Sequence, residues 1–292
     1  MRWWNRFFCA LFLAAVTVAS HAQGMSDEQA RAVFSRINTE GISQPGPIPL
    51  AGQATLNLPA GFIFVKQPLA GEVMMAMGNP GNRSDMQGLI FPQSDENWFM
   101  TVSFENTGYI KDDDAQHWDV DELLSSYKEG TAQANKEREK MGVAGIEVLG
   151  WAEKPDYDAS THRLAWAMDS REIGDASGER GVNYNTYVLG REGYVSMNLV
   201  TALNDLPKDK PAALRMINAT TFNDGKRYAD FNSATDHVAE YGLAALVAGV
   251  AAKKLGLLAT LALFAAKFWK LALVGVAVAG GAVSKLFKRD RG

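Results

Sequence analysis

Apolar positions along this chain follow two regimes. From about residue 26 to 240 they recur at alternating or helical intervals, whereas near both ends they run in almost continuous blocks. In the central region, Ser26-Asp-Glu-Gln29 has the spacing of a capping box, and Ala30, Val33, Phe34 and Ile37 follow at helical intervals. That spacing predicts a short helix through Ile37, and Gly46–Leu50 reads as the end of the loop after it. Ala54–Leu58 and Phe62–Val65 predict two short strands around the turn Pro59-Ala60-Gly61. Asn79-Pro80-Gly81-Asn82 is a turn leading to a strand over Gly88–Phe91. Trp98, Met100, Val102 and Phe104 alternate as one face of a half-buried strand.

The longest helix is predicted over Val120–Met141. Leu123, Leu124, Tyr127, Thr131, Ala134 and Arg138 trace one of its faces, and Gly142 is the stop. Ile146–Trp151 and Leu164–Ser170 read as strands joined through Pro155–Ala159. Asn183–Leu189 and Tyr194–Leu203 form a hairpin turning at Gly190–Gly193. Pro211–Ala219 reads as a helix and Phe222–Phe231 as a connector. Ser233-Ala-Thr-Asp236 has capping-box chemistry for a helix entering the tail. Hairpins interrupted by two or three helices predict an α+β domain, an antiparallel sheet covered by helices. The strict strand–helix alternation of a doubly wound parallel sheet is missing.

The terminal blocks set the expected topology. A positive stretch over Met1–Arg6, an apolar core over Phe7–Val18 and small residues at Ser20 and Ala22 predict a signal peptide over residues 1–22. Residues 241–292 read as a membrane tail with apolar blocks Leu243–Ala252, Leu255–Ala266 and Leu271–Val283. A span needs about 20 mostly apolar residues, and lysine is tolerated near its ends rather than its centre. The best span is therefore about 268–286, with Trp269 at the interface and Lys285, Lys288, Arg289 and Arg291 on the cytoplasmic side. A helical hairpin turning at Lys267–Lys270 is the second arrangement. The expected localisation is the bacterial inner membrane, with residues 23–240 forming a periplasmic domain.

Composition narrows the chemistry. The one cysteine, Cys9, lies in the predicted leader, so the exported chain would have no disulfide, thiolate metal site or cysteine nucleophile. A net charge of −4 gives no basic footprint for nucleic acid. The densest acidic run, Asp112-Asp113-Asp114 with Asp119, Asp121 and Glu122 nearby, offers oxygen ligands suited to calcium but lacks EF-hand spacing. Its simpler role is helix capping by Asp114 or Asp119. His117 beside the run would complete a metal site or serve as a general base, but no His-Glu-x-x-His pair or Gly-x-Ser-x-Gly elbow accompanies it. Arg191 and Asn183 share the predicted hairpin and, with His117, form a candidate ligand site, with Arg191 free to pair with an aspartate. Trp118, Trp151, Trp166, Tyr157, Tyr184 and Tyr187 suit either core packing or a sugar- or peptide-binding platform.

Several segments carry a resemblance. They are Leu58-Pro-Ala-Gly-Phe62, Gly78-Asn79, Gly108-Tyr-Ile-Lys-Asp-Asp-Asp114, Gly150-Trp151, Pro155-Asp-Tyr157, Leu164-Ala-Trp166 and Val182-Asn-Tyr184. Leu189-Gly-Arg-Glu-Gly193, Tyr228-Ala-Asp-Phe231 and Thr235-Asp-His-Val-Ala-Glu-Tyr-Gly242 continue the series. Together they resemble the bacterial membrane-anchored proteins built on the DUF2167 domain, a family that implies a signal peptide and a membrane tail but no activity. More loosely, the Leu-Pro-Ala-Gly-Phe opening resembles Mog1/PsbP-type folds. The expected function is a non-enzymatic, membrane-tethered binding module whose partner is an envelope protein or wall component, with no cofactor beyond the calcium option. The alternatives are a tethered enzyme with an Asp/His site at residues 112–117 and an oligomer assembled through Gly275–Ala282.

Overall fold

The alternation of residues 98–104 is realised at the centre of a seven-stranded antiparallel sheet. A computed structural model describes residues 26–248 apart from 78, 80–83, 117 and 141. Among the described residues the strands are β1 (Gly46–Leu50), β2 (Ala54–Leu58), β3 (Phe62–Lys66), β4 (Met86–Pro92), β5 (Phe99–Glu105) and β6 (Ile146–Asp158). They continue with β7 (Arg163–Glu172), β8 (Gly181–Leu189), β9 (Tyr194–Ala202) and β10 (Thr220–Phe222). The helices are α1 (Asp27–Glu40), α2 (Leu69–Ala76), α3 (Val120–Lys140), α4 (Leu206–Asn218) and α5 (Leu243–Val247). The large sheet runs β3-β4-β5-β9-β8-β7-β6, and a small sheet runs β1-β2-β10. The architecture is α+β, with antiparallel sheets and helices against them.

One face of the large sheet carries the main core. Met100, Val102 and Phe104 of β5, Val195, Met197 and Leu199 of β9, and Val182 and Tyr184 of β8 pack there. Leu56 and Leu58 of β2 and Ala213 and Met216 of α4 close over them. On the opposite face, α1 and α2 cover only the β3–β4 end, where Val33, Ile37, Leu69 and Val73 pack on Ile63, Val65 and Leu89. Along β9 the residues that reach the main core therefore alternate with Ser196 and Asn198, which point the other way and are half-buried.

Local chemistry explains most of the element ends. Ser26 and Gln29 form the reciprocal capping box at α1. The Asp119 carboxylate accepts from the backbone N–H groups of Asp121 and Glu122 at 2.9 and 3.1 Å, so Asp119 caps α3. Gly142 ends α3 with a φ of +68°, a left-handed conformation that glycine adopts without strain. Only Leu123 of the expected α3 face is fully buried, and Ala134 is exposed. The helix is held more by polar clamps: Asn135 both donates to and accepts from the backbone of Ile146, at 2.8 and 2.9 Å.

Several expectations are corrected. Gly46–Leu50 is a strand rather than a loop. Its two prolines are tolerated because β1 lies at a sheet edge, where a missing N–H need not break a ladder bond. β2 and β3 flank a turn but enter different sheets. α2 carries no helical polar–apolar pattern, since Leu69-Ala-Gly-Glu-Val-Met-Met-Ala76 is nearly all apolar and is recruited by burial of Leu69, Ala70, Val73 and Met74. β6 runs through Pro155–Asp158, accommodated by register shifts along its pairing with β7. α4 begins at Leu206, with Pro207 in its first turn. Phe222 closes β10 rather than starting a connector. Asp236 starts no helix. Its carboxylate is taken by Arg191, and the helix toward the tail begins only at Leu243.

The expected leader 1–22, the span 268–286, the basic end and the Gly275–Ala282 stripe lie outside the described residues. Among the described residues, no helix is long and apolar enough to cross a membrane.

Candidate functional site

Many of the segments that carry the family resemblance meet at one end of the large sheet. The β8–β9 hairpin closes there with the Gly190 N–H donating to the Gly193 carbonyl at 2.8 Å. Gly193 has a φ of +154°, and a Cβ at this position would overlap the Glu105 carbonyl. Arg191 leans from the hairpin tip onto Asp236 in a two-pronged pair, Nε to Oδ2 at 2.7 Å and Nη2 to Oδ1 at 2.8 Å. Arg191, aided by the Asn232 backbone N–H, holds the Asp236 carboxyl far below the usual carboxylate range. Tyr109 then pairs with the strap that Asp236 belongs to: its N–H donates to the His237 carbonyl at 2.8 Å, and the Ala239 N–H donates back to Tyr109 at 2.8 Å.

A column of rings pins the same strap. His162 stacks on Tyr228 at 4.1 Å, Tyr228 on Tyr109 at 4.4 Å, and Tyr109 on Phe231 at 3.9 Å between centroids. The buried Tyr228 hydroxyl donates to the Ile110 carbonyl at 2.9 Å. Beside the column, the Tyr157 hydroxyl donates to Asp112 Oδ2 at 2.7 Å and lies 3.2 Å from His162 Nδ1. With the phenol proton committed to Asp112, the imidazole Nδ1–H must be the donor to Tyr157. Burial, with Asp112 beside it, pushes the Tyr157 phenol up.

The acidic run divides its work. Asp112 engages Tyr157, and Asp113 is exposed in a short 3-10 turn over Asp113–Gln116. Asp114 caps α5: Oδ1 accepts from the Leu243 N–H at 3.1 Å and Oδ2 from the Ala244 N–H at 3.0 Å. Gly242 allows this approach, because a Cβ there would overlap the Asp114 carboxylate. Among the described residues, no group of three histidine, cysteine or carboxylate side chains converges as a metal site. His117 lies outside the described residues, and the histidine placed beside Asp112 is His162. Asn183 sits near the start of β8, roughly 25 Å of strand away from Arg191 at the hairpin tip, so those two do not form one site.

The other feature lies on the sheet face opposite the main core. Strand register sets three rows across it. The middle row reads Leu89, Thr101, Asn198, Asn185, Trp166, and the next reads Met86, Ser103, Ser196, Tyr187, Leu164, Tyr157. The third reads Phe99, Val200, Asn183, Met168, Trp151. Thr101, Ser103, Asn183, Asn185, Ser196 and Asn198 thus form an uncharged polar band between two apolar flanks. Asn185 is buried and donates to the Asn183 carbonyl at 3.2 Å. Among the described residues, the Asn198 side-chain carbonyl and the indole N–H of Trp166 are buried with no hydrogen-bond partner. Trp166, Tyr187, Tyr157 and Trp151 share this face, whereas Tyr184 points into the core beneath Lys210. A shallow cleft elsewhere, beside α1 and β3, is lined by Asn38, Ser43, Ile63, Pro92, Gln93 and Asp95 and gathers no catalytic set.

A family profile described as "Protein of unknown function (DUF2167)" matches residues 42–277. The chain belongs to the DUF2167 family. No curated protein matches it. In fold the chain is similar to cyanobacterial PsbP (CyanoP) from Synechocystis, with 12% identity, 63% of this chain and 95% of that one covered, and a TM-score of 0.38. It is also similar to the Ran-binding protein Mog1p of Saccharomyces cerevisiae, with 11% identity, 62% and 96% covered, and a TM-score of 0.32.

Proposed function

We propose that this DUF2167 protein is an exported envelope protein whose α+β domain is held at a membrane by the tail beyond residue 248 and acts by binding rather than catalysis. The observation that carries this reading is the bracing of the chain as it leaves the domain. Arg191–Asp236, the Tyr109–Val238 bridge, the ring column and the Asp114 cap fix residues 228–248 onto the sheet end. Residues 228–248, from which the tail continues, are thus part of the folded domain. The leader-like residues 1–22 and the apolar, basic-ended tail supply the expected route and tether. Asp114, Asp236 and the Tyr228–Tyr109–Phe231 rings at the sheet end are engaged in scaffolding contacts, which supports a structural rather than a chemical role for them.

Fractionation of cells expressing the full-length chain tests the tether. The protein should stay with alkali-washed inner membranes, with residues 26–248 cut by protease only after the outer membrane is opened. Recovery in the soluble fraction overturns the reading. A tethered enzyme is the second reading, favoured by the Asp112–Tyr157–His162 chain, in which the imidazole Nε2 is left to act. Replacement by Tyr157→Phe together with His162→Phe, which keeps a ring at each position, should then abolish the biological phenotype in protein whose circular dichroism shows it still folded, and retention of that phenotype discards it.

A further inference from the structure

We infer that the polar band formed by Thr101, Ser103, Asn183, Asn185, Ser196 and Asn198 is a binding site for a neutral saccharide. The inference rests on the binding-module reading above and names its ligand class. A sheet face that merely meets water has no reason to avoid charge, because lysine and glutamate are the ordinary occupants of exposed positions. Here six neighbouring positions on three central strands carry only hydroxyls and amides. They are half-buried or buried rather than open, and among the described residues the Asn198 carbonyl and the neighbouring Trp166 indole N–H have no partners. Trp166 is 1% exposed with an unpaired indole N–H, and it neighbours Asn185 in the same row. Among the described residues these two groups on one face have no hydrogen-bond partner, a feature shared by a few atoms elsewhere such as the Trp98 indole N–H in the main core, so the inference rests on the uncharged polar composition of the band.

The chemistry of the band excludes other ligand classes. Anions would call for arginine or lysine, and cations for carboxylates, and the band has neither; the nearest charge along the strands is Glu105, one row beyond Ser103. A peptide docking by strand addition needs a free sheet edge, but β5, β9 and β8 are each paired on both sides, so their backbone groups are spent on the ladder. What remains on offer is side-chain hydroxyls and amides. The Thr101, Ser103 and Ser196 hydroxyls and the half-buried Asn183 amide complement neighbouring sugar hydroxyls that both donate and accept, while Asn185 is buried and already donates to the Asn183 carbonyl. With strands about 4.8 Å apart and alternate residues about 6.7 Å apart, the band spans roughly 10 by 13 Å, the footprint of a short oligosaccharide. The apolar flanks at Phe99 and Tyr187 would lie against the less polar faces of its rings.

Calorimetric titration of the full-length protein with maltotetraose and with the N-acetylglucosamine tetrasaccharide tests this, alongside Asn198→Leu, Thr101→Val and, as a control off the band, Asp113→Ala. Saturable binding of either sugar is expected, weakened at least tenfold by Asn198→Leu and unchanged by Asp113→Ala. Absence of saturable binding for both sugars overturns the saccharide inference, as does binding that Asn198→Leu and Thr101→Val leave intact. A photocrosslinker placed at Thr101 separates this failure from failure of the binding-module reading. If it captures a protein partner that Asn198→Leu releases, the saccharide is wrong and the module stands. If sugars do not bind, nothing is captured there, and Asn198→Leu raises Tm by relieving its lone carbonyl, the band is structural and the saccharide inference falls, while the tethered-module reading stands or falls with the fractionation above.

Discussion

Replacing Asp114 by alanine tests whether the acidic run is scaffold. The five residues of α5 bury Leu243 and Val247 completely and leave Leu246 7% exposed. Full burial of three such side chains is worth about 5–8 kcal/mol in gross terms. Fixing five backbones costs about 1–2 kcal/mol each, which nearly cancels it. The cap therefore decides how firmly this helix is docked. Two backbone N–H groups donate to the Asp114 carboxylate, and loss of such a cap is worth about 2 kcal/mol. That free energy corresponds to roughly a 30-fold rise in local opening. Hydrogen exchange at Ala248 is the right assay, since its N–H bonds to the Ala244 carbonyl at 3.0 Å and not to Asp114 itself. In Asp114→Ala that amide should exchange about 30-fold faster, with β9 protection little changed. Asp113→Ala should leave both alone. Unchanged exchange at Ala248, or an equal rise throughout β9, refutes the capping account.

Four further outcomes follow from the same contacts. Arg191→Met should move the acid-unfolding midpoint to higher pH in a circular-dichroism titration: a carboxyl held low by its partner stabilises above the unfolded carboxylate pKa of about 3.9 and loses that contribution as pH falls through its folded value. Asp209 behaves oppositely, because burial raises its pKa against the Thr201 hydroxyl that donates to it. Its stabilising share is present below the unfolded pKa and lost as pH rises through the folded one, so Asp209→Asn should gain Tm over the wild type at pH 7 and lose that advantage near pH 4. Gly193→Ala should destabilise by about 3 kcal/mol in urea unfolding, since its Cβ would overlap the Glu105 carbonyl. Chelation in a calcium-containing buffer should leave Tm unchanged, because Asp112 and Asp114 are turned to different partners.

What could be read from the sequence divides along a physical line. Elements fixed by local signals were legible: the Ser26–Gln29 box, the Gly142 stop, the alternation of β5 and the Gly190–Gly193 turn each depend on residues within a few positions. Elements fixed by tertiary context were not. α2 has no periodic pattern and exists because its apolar residues find α1 and the β3–β4 end. β1 carries two prolines that argue against a strand until its edge position is known. The candidate site shows the same split. That Asp114 or Asp119 would cap a helix is a local inference, and Asp119 does cap α3. Asp114 instead caps a helix that starts 129 residues later in the chain, beyond the reach of any spacing rule. Likewise His162 reaches Asp112 only because the β6–β7 turn folds back to the loop after β5.

The polar band was present in the sequence as a phase rather than a motif. Thr101 and Ser103, Asn183 and Asn185, and Ser196 and Asn198 each stand two apart, out of step with the core residues of their strands. One such pair says only that a strand has a second face. Register turns three pairs into one surface, because Thr101 opposes Asn198 and Asn198 opposes Asn185. The core residues on the other side are constrained by volume alone, so one apolar residue can replace another of similar size at modest cost. The band obeys no such rule. Solubility would accept charges there and packing would accept valines, yet it holds neither, and among the described residues the Asn198 carbonyl and the Trp166 N–H have no partner. The saccharide inference accounts for that arrangement, which neither core packing nor solubility requires.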